Sequence, residues 1–279
     1  MLGKRLIQYD IRNGFKSNYV KIIIFMLIIC IINLIGANEI HNCEKMYSVD
    51  ATLMDYICHI VGGPAYIPED MFELYSIPVL LMIQNAMIAY IVGYYAATDL
   101  ERYGIQVLTR CGSRKKWWFS KCVWNGITVI VLYVCIYVIT AVIAIVCGGN
   151  LSYRLTPEIV TNACSINCLN GDSWEYIICL ILMPVIVSLT LSMLQMTISL
   201  ISSPVIGFLI IESILLLSTM FTDSLLFPNY GMLSHNRITC GSDIVMADGI
   251  IICGLIYVAS MVGGLIFFSK TDIVGKNKI

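Results

Sequence analysis

Apolar residues along this chain gather into long unbroken runs separated by short polar connections, without the strict alternation of a half-buried strand. The runs fall at about 20–36, 75–97, 122–146, 176–200, 204–220 and 249–268. A helix needs about 20 residues, at 1.5 Å each, to cross a ~30 Å hydrocarbon core. The pattern therefore predicts an all-α fold: one polytopic membrane bundle over residues 1–279 with six transmembrane helices. The fourth and fifth runs almost fuse, and a single straight helix over 176–220 would be roughly 67 Å long, about twice the core thickness. Ser202-Ser203-Pro204 is the predicted corner, because proline ends or kinks a helix.

Composition agrees. Of 279 residues, 58% are hydrophobic and 13% charged, about half the charge of an ordinary soluble domain. Mean hydropathy is +0.84. Charge placement then orients the bundle. Of the 17 Lys and Arg, fourteen precede or open the first run, surround the second-to-third connection or follow the last run, leaving Lys45, Arg154 and Arg237 for the opposite side. The excess of cations on one side predicts that both termini are cytoplasmic. A basic start followed by Ile35-Gly36-Ala37 faintly resembles a secretory signal, but the basic region is long for one and five further runs follow.

Residues 1–18 place Arg5, Arg12 and Lys16 within about 40° of one another on a helical projection, which predicts an N-terminal interfacial helix on the inner leaflet. The outer loop 37–74 contains Gly62-Gly63-Pro64 and Pro68, which break long helices. Small-residue ridges recur at Ala89, Gly93 and Ala97, and in the last run at Ala259 and Gly263 and at Ser260 and Gly264, where helices can approach closely. The segment 225–236, containing Pro228 and Gly231, reads as a short external or re-entrant element. Five cysteines fall outside (Cys43, Cys58, Cys164, Cys168 and Cys240), an odd number that leaves room for one bridge, Cys43–Cys58 or Cys164–Cys168, without a convincing zinc spacing.

The stretch RCGSRKKWWFSK, Arg110 to Lys121, concentrates five cations and two tryptophans. Gly112-Ser113 is a break followed by a good N-cap, so the third helix should start at Arg114. Arg114, Lys115 and Lys116 then occupy a first turn, where the helix dipole disfavours cations by about 0.3–1 kcal/mol each. Two compensations are open: anionic headgroups, with Trp117 and Trp118 at the same interface, or docking to a cytoplasmic partner.

The six-run layout, the connection reading DLERYGIQVLTRCGSRKKWWFSK, the tight hairpin of runs four and five, and PNYGMLSHNR before the last run together resemble the permease subunits of bacterial ABC-2 type transporters. The resemblance implies a half-transporter of the bacterial cytoplasmic membrane, with 98–121 as the segment coupling it to an ATPase. It further implies Asp99, Glu101, Arg102, Arg110, Arg114, Lys115 and Lys116 as coupling residues, a cytoplasmic ATPase dimer, and a second permease subunit as partners. No GxxxxGK[ST] loop occurs in the sequence, so this chain should bind no cofactor of its own, with ATP and Mg on the partner. Lipid is the remaining partner, and nothing suggests nucleic acid.

Ser188, Ser192, Gln195 and Ser199, at i, i+4, i+7 and i+11, fall within about 60° of arc on the fourth run. Such a stripe faces protein or water, or joins helices through hydroxyl hydrogen bonds. Glu212 lies about 12 Å along the fifth run by helical rise, where a carboxylate marks either a pathway or a hydrogen-bonded structural site. The family resemblance makes Gln84 and Asn85 its companions and draws a substrate pathway through Gln84, Asn85, Ser188, Ser192, Gln195 and Glu212. Two alternatives remain open at this point: a channel or substrate-capture component without an ATPase, and an intramembrane enzyme. The latter lacks reagents, since HExxH and GxSxG are absent and His41, His59 and His235 all fall in outer loops.

Overall fold

The structure, a computed structural model, describes residues 2–65, 78–100, 113–166 and 174–270. The described residues form helices α1 (Leu2–Tyr47), α2 (Leu53–Val61), α3 (Val79–Asp99), α4 (Arg114–Val146), α5 (Pro157–Ala163), α6 (Trp174–Ile181), α7 (Met183–Ile201), α8 (Pro204–Met220), α9 (Arg237–Cys240) and α10 (Met246–Lys270), with two 3-10 turns, Phe227–Gly231 and Leu233–His235, before α9. An isolated parallel bridge between Thr52 and Asn150 stands in for sheet among the described residues. Among the described residues, five segments are long and apolar enough to cross a membrane: Lys4–Tyr47, Val79–Ala96, Arg114–Val146, Trp174–Ile201 and Met246–Lys270. Pro204–Met220 is shorter, at 17 residues.

The first helix corrects the sequence reading at both ends. It runs unbroken for 46 residues, about 69 Å at 1.5 Å per residue, so residues 1–18 are not a separate interfacial helix and the outer loop does not begin at 37. Nothing between Asn13 and Val20 stops the helix: the Ser17 hydroxyl and Asn18 amide donate back to the Gly14 carbonyl at 3.1 and 3.0 Å, satisfying themselves inside it. Its buried positions, Leu6, Asp10, Asn18, Phe25, Ile29, Ile32, Ala37 and Ile40, form one stripe from end to end. The whole helix therefore leans on the bundle, chiefly on α4.

The fourth run is two helices with one bend. Pro184 has no N–H to give the Leu180 carbonyl four residues back, and the Tyr137 hydroxyl of α4 donates to that carbonyl at 3.1 Å and to Ile181 O at 2.9 Å. The hairpin at Ser202-Ser203-Pro204 forms as predicted, with the Ser203 hydroxyl accepting from Ile206 N at 3.3 Å to cap α8. Helix α7 lies at the centre, against α3, α4, α8 and α10.

With lipid outside, helices gain little from burying leucine, and small residues and hydroxyls join them instead. Thr190 and Thr197 of α7 donate to the Cys253 and Ser260 carbonyls of α10 at 3.3 and 2.9 Å. Of the two ridges on the last run, Ser260 and Gly264 face inward, whereas Ala259 and Gly263 face away from the rest of the chain. A Cβ on Gly264 would sit 2.2 Å from Trp118, so only glycine leaves the slot that ring occupies.

The two ends of the bundle differ. The N-termini of α1 and α4 and the C-termini of α3 and α10 meet at one end, where Arg114 reaches the last turn of α10 and Lys121 bonds both Asp10 and Asp99. Both termini of the described chain thus lie together, as the charge pattern requires. The other end is a polar cap. Asp55 is fully buried, its carboxylate accepting from the backbone N–H of Thr52 and Thr156 at 2.9 and 2.8 Å, and Leu53 N bonds Asn150 O at 2.8 Å. Burial pushes the Asp55 carboxyl up from its ordinary range against those hydrogen bonds, which hold it down. Cys43 and Cys164 keep free thiols, and Cys168 lies outside the described residues.

Candidate functional site

At the basic end, the second turn of α4 carries Ser120 and Lys121 into the interior. Lys121 is wholly buried, its ammonium 2.7 Å from Asp10 Oδ1 of α1 and 2.6 Å from Asp99 Oδ2 at the end of α3. Ser120 donates to the other Asp10 oxygen at 2.5 Å, and the Tyr95 hydroxyl donates to the Asp10 carbonyl at 3.3 Å. The Tyr95 and Trp117 rings flank the ammonium at 4.6 and 5.0 Å. One cation and two carboxylates are thus sealed where three helices meet. Such an arrangement contributes position more than stability, since desolvating the charges offsets most of their attraction.

This cluster redistributes the basic stretch. Lys121, grouped by sequence with the surface cations, is interior, and Asp99, expected to face an ATPase, is turned inward and 6% exposed. Arg114 donates to the Phe268 and Ser269 carbonyls at 3.5 and 3.3 Å, capping α10. That is a third compensation for a first-turn cation: the negative end of a neighbouring helix. The predicted start at Arg114 holds, although the Ser113 side chain makes no cap bond. Trp117 and Trp118 are buried rather than interfacial, Trp117 stacked on Phe268 at 4.8 Å and Trp118 donating to Met261 O at 2.8 Å. Lys115 and Lys116 face outward. Glu101, Arg102 and Arg110, with half of the coupling segment, lie outside the described residues.

Farther into the bundle, the polar side chains singled out on the second, fourth and fifth runs converge. Asn85, Ser188, Ser192, Gln195 and Glu212 line one small void of about 10 Å³ between α3, α7 and α8. Gln84, Asn85 and Ser188, with Tyr133 of α4, line another of about 30 Å³. These volumes hold a water or two. The seam is wired from the α4 side, which sequence reasoning missed: Tyr133 and Ser188 hydroxyls are 2.6 Å apart, and Ser192 donates to Asn125 Oδ1 at 2.9 Å. Gln195 donates to Ala89 O at 3.2 Å, across a contact where a Cβ on Gly93 would come 2.2 Å from its amide nitrogen. Buried oxygens of Gln195, Ser199 and Glu212 have no partner. An unpartnered buried carboxylate oxygen is expensive, and it faces the void shared with Asn85.

The segment between α8 and α9 closes the outer end of this seam. Residues 227–236 are buried without interruption, and Pro228, Gly231 and Met232 form the far wall of the larger void. Its fold is set by Asn229, whose amide donates to Phe221 O and Asp223 O at 2.7 and 3.0 Å. That fixes Oδ1 as the acceptor toward His235 Nδ1 at 3.0 Å, so this nitrogen carries the proton. Burial lowers the His235 pKa to about 4, keeping the ring neutral.

The signals for the missed residues existed. Asp10 is the lone acid in the first 38 residues, amid cations, and Asn125 sits inside an apolar run. Among the described residues, no group of three or more His, Cys, Asp or Glu is placed to hold a metal.

Fold and site together define a multi-pass, all-helical membrane protein with a buried charge cluster at one end and a closed polar seam within. Residues 54–274 match the model of the family described as "Protein of unknown function (DUF2705)", and the chain belongs to that family. No curated protein matches it.

Proposed function

We propose that this chain is the membrane-spanning subunit of an ATP-driven exporter of the bacterial cytoplasmic membrane, built of six crossings with the 17-residue α8 as the fifth. ATP and Mg bind a separate ATPase dimer beneath it, and a second permease subunit, identical or similar, completes the pathway. The observation that carries this reading is the convergence of six polar residues from three helices on one interior seam, with a Glu212 oxygen left unpartnered. Purely structural polar groups in a membrane find partners, whereas a solute path keeps groups in reserve. The ion cluster supports a coupling role, because Asp99 ends α3 at the start of the α3–α4 connection and Lys121 ties it rigidly to α1. A push on that connection moves three helices together.

The test is purification under mild solubilisation from native membranes. The preparation should hydrolyse ATP and contain an ATPase subunit in stoichiometric amount, whereas the chain produced alone should not hydrolyse ATP. Native preparations devoid of ATPase activity would overturn the proposal and leave the reading of a channel or capture component.

A further inference from the structure

Beside the ion cluster, an apolar groove of about 410 Å³ opens on the flank of the bundle between α4 and α10, with Ile7 of α1 at its edge. Its walls are Trp118, Phe119, Met261, Val262 and Leu265, and among the described residues its charged lining is Lys115 and Lys116. Both lysines are exposed. The groove has a firm floor: Trp118 is seated over Gly264 and tied to the Met261 carbonyl. Its walls run on into outward apolar positions of the same helices, Ile130 and Val134 on α4 and Leu255 and Val258 on α10.

We infer that this groove binds an anionic phospholipid of the surrounding membrane, its phosphate held by Lys115 and Lys116 and an acyl chain lying along Trp118, Val262 and Leu265. Three observations select this occupant. The cations sit at one end of the groove, and that end belongs to the basic end of the bundle, where headgroups lie if the bundle crosses the membrane. Among the described residues, no acidic side chain lines the groove to compete for them. The remaining lining is apolar and continuous with the surface that meets lipid tails, so head and tail each meet their complement. The volume falls in the ordinary range for a small-ligand site. The inference does not require the transport reading.

The test uses the full chain, delipidated in neutral detergent, titrated with phosphatidylglycerol or phosphatidylcholine of identical acyl chains, with retained lipid read by native mass spectrometry. The parent should retain one phosphatidylglycerol in clear preference to phosphatidylcholine. Lys115→Gln with Lys116→Gln should lower that retention about tenfold or more, while Lys45→Gln at the opposite end leaves it unchanged. Val262→Trp, at a position 42% exposed, should fill the groove and exclude the lipid without touching a charge. Glycerol phosphate, a headgroup without chains, should not compete. Equal retention of both lipids by the parent, or undiminished phosphatidylglycerol on either groove variant, overturns the inference. Competition by glycerol phosphate overturns it in favour of a free phosphate site. A dimer that the groove variants break, or lipid retention that appears only after removal of residues 271–279, overturns it by assigning the groove to a second copy or to the chain's own tail. ATP hydrolysis enters none of these readouts, so failure here leaves the proposed function standing, and the converse holds.

Discussion

Replacing Lys121 by Met keeps most of the length of the side chain and removes its charge. Lys121 is 0% exposed and bridges Asp10 and Asp99 at 2.7 and 2.6 Å, so the substitution strands two carboxylates in an interior where no other cation among the described residues pairs with them. Breaking a buried pair from one side costs about 3–5 kcal/mol. At roughly 2–4 °C per kcal/mol for a domain of this size, the melting temperature should drop by about 10 °C. The assay is thermal unfolding in detergent with a thiol-reactive fluorophore, since Cys122 and Cys253 are buried and react on opening. Asp10→Asn leaves a neutral Lys121–Asp99 pair and should cost only about 1–2 kcal/mol. The decisive variant combines Lys121→Met with Asp10→Asn and Asp99→Asn. An uncharged cluster escapes the desolvation penalty, so the triple variant should recover most of the loss, a non-additivity that lost packing alone cannot produce. If Lys121→Met melts within about 3 °C of the parent, or the triple variant is no more stable than the single, the account of the cluster is wrong.

Acid should loosen the outer plug. His235 titrates near 4 when folded against about 6.5 when unfolded, so the unfolded chain binds the extra proton and stability falls as pH drops through that window. About 2 kcal/mol should be lost between pH 7 and pH 5, and His235→Gln should flatten that part of the profile; an unchanged slope rejects the assignment. Gly264→Ala forces a methyl group into the Trp118 ring and should destabilise by about 1–3 kcal/mol, measured by the same melting assay. Under the proposed function, Glu212→Gln should abolish export with the melting temperature unchanged or slightly raised, because one carboxylate oxygen has no partner to lose. Retained export would remove Glu212 from the pathway.

What the sequence determined by itself was everything that depends on a local period or on the cost of leaving lipid: all-α class, long apolar runs, the corner at Pro204, the helix start at Arg114 and the sorting of cations to one end. The serine stripe of α7 was legible for the same reason, since helical geometry alone puts Ser188, Ser192 and Gln195 on one face. Tertiary structure alone decided what those faces meet. Lys121 and Lys116 are both lysines near the start of a helix, yet one is sealed between two aspartates 22 and 111 residues distant in sequence and the other is exposed. Trp118 follows the interfacial rule until Gly264, 146 positions later, opens a slot for it. The unbroken first helix belongs to the same class, for its basic start would suit a leaflet surface until Asp10 finds Lys121 across the bundle. Periodicity reports the direction in which a side chain points, whereas its partner depends on how distant helices pack, and no short window of sequence contains both.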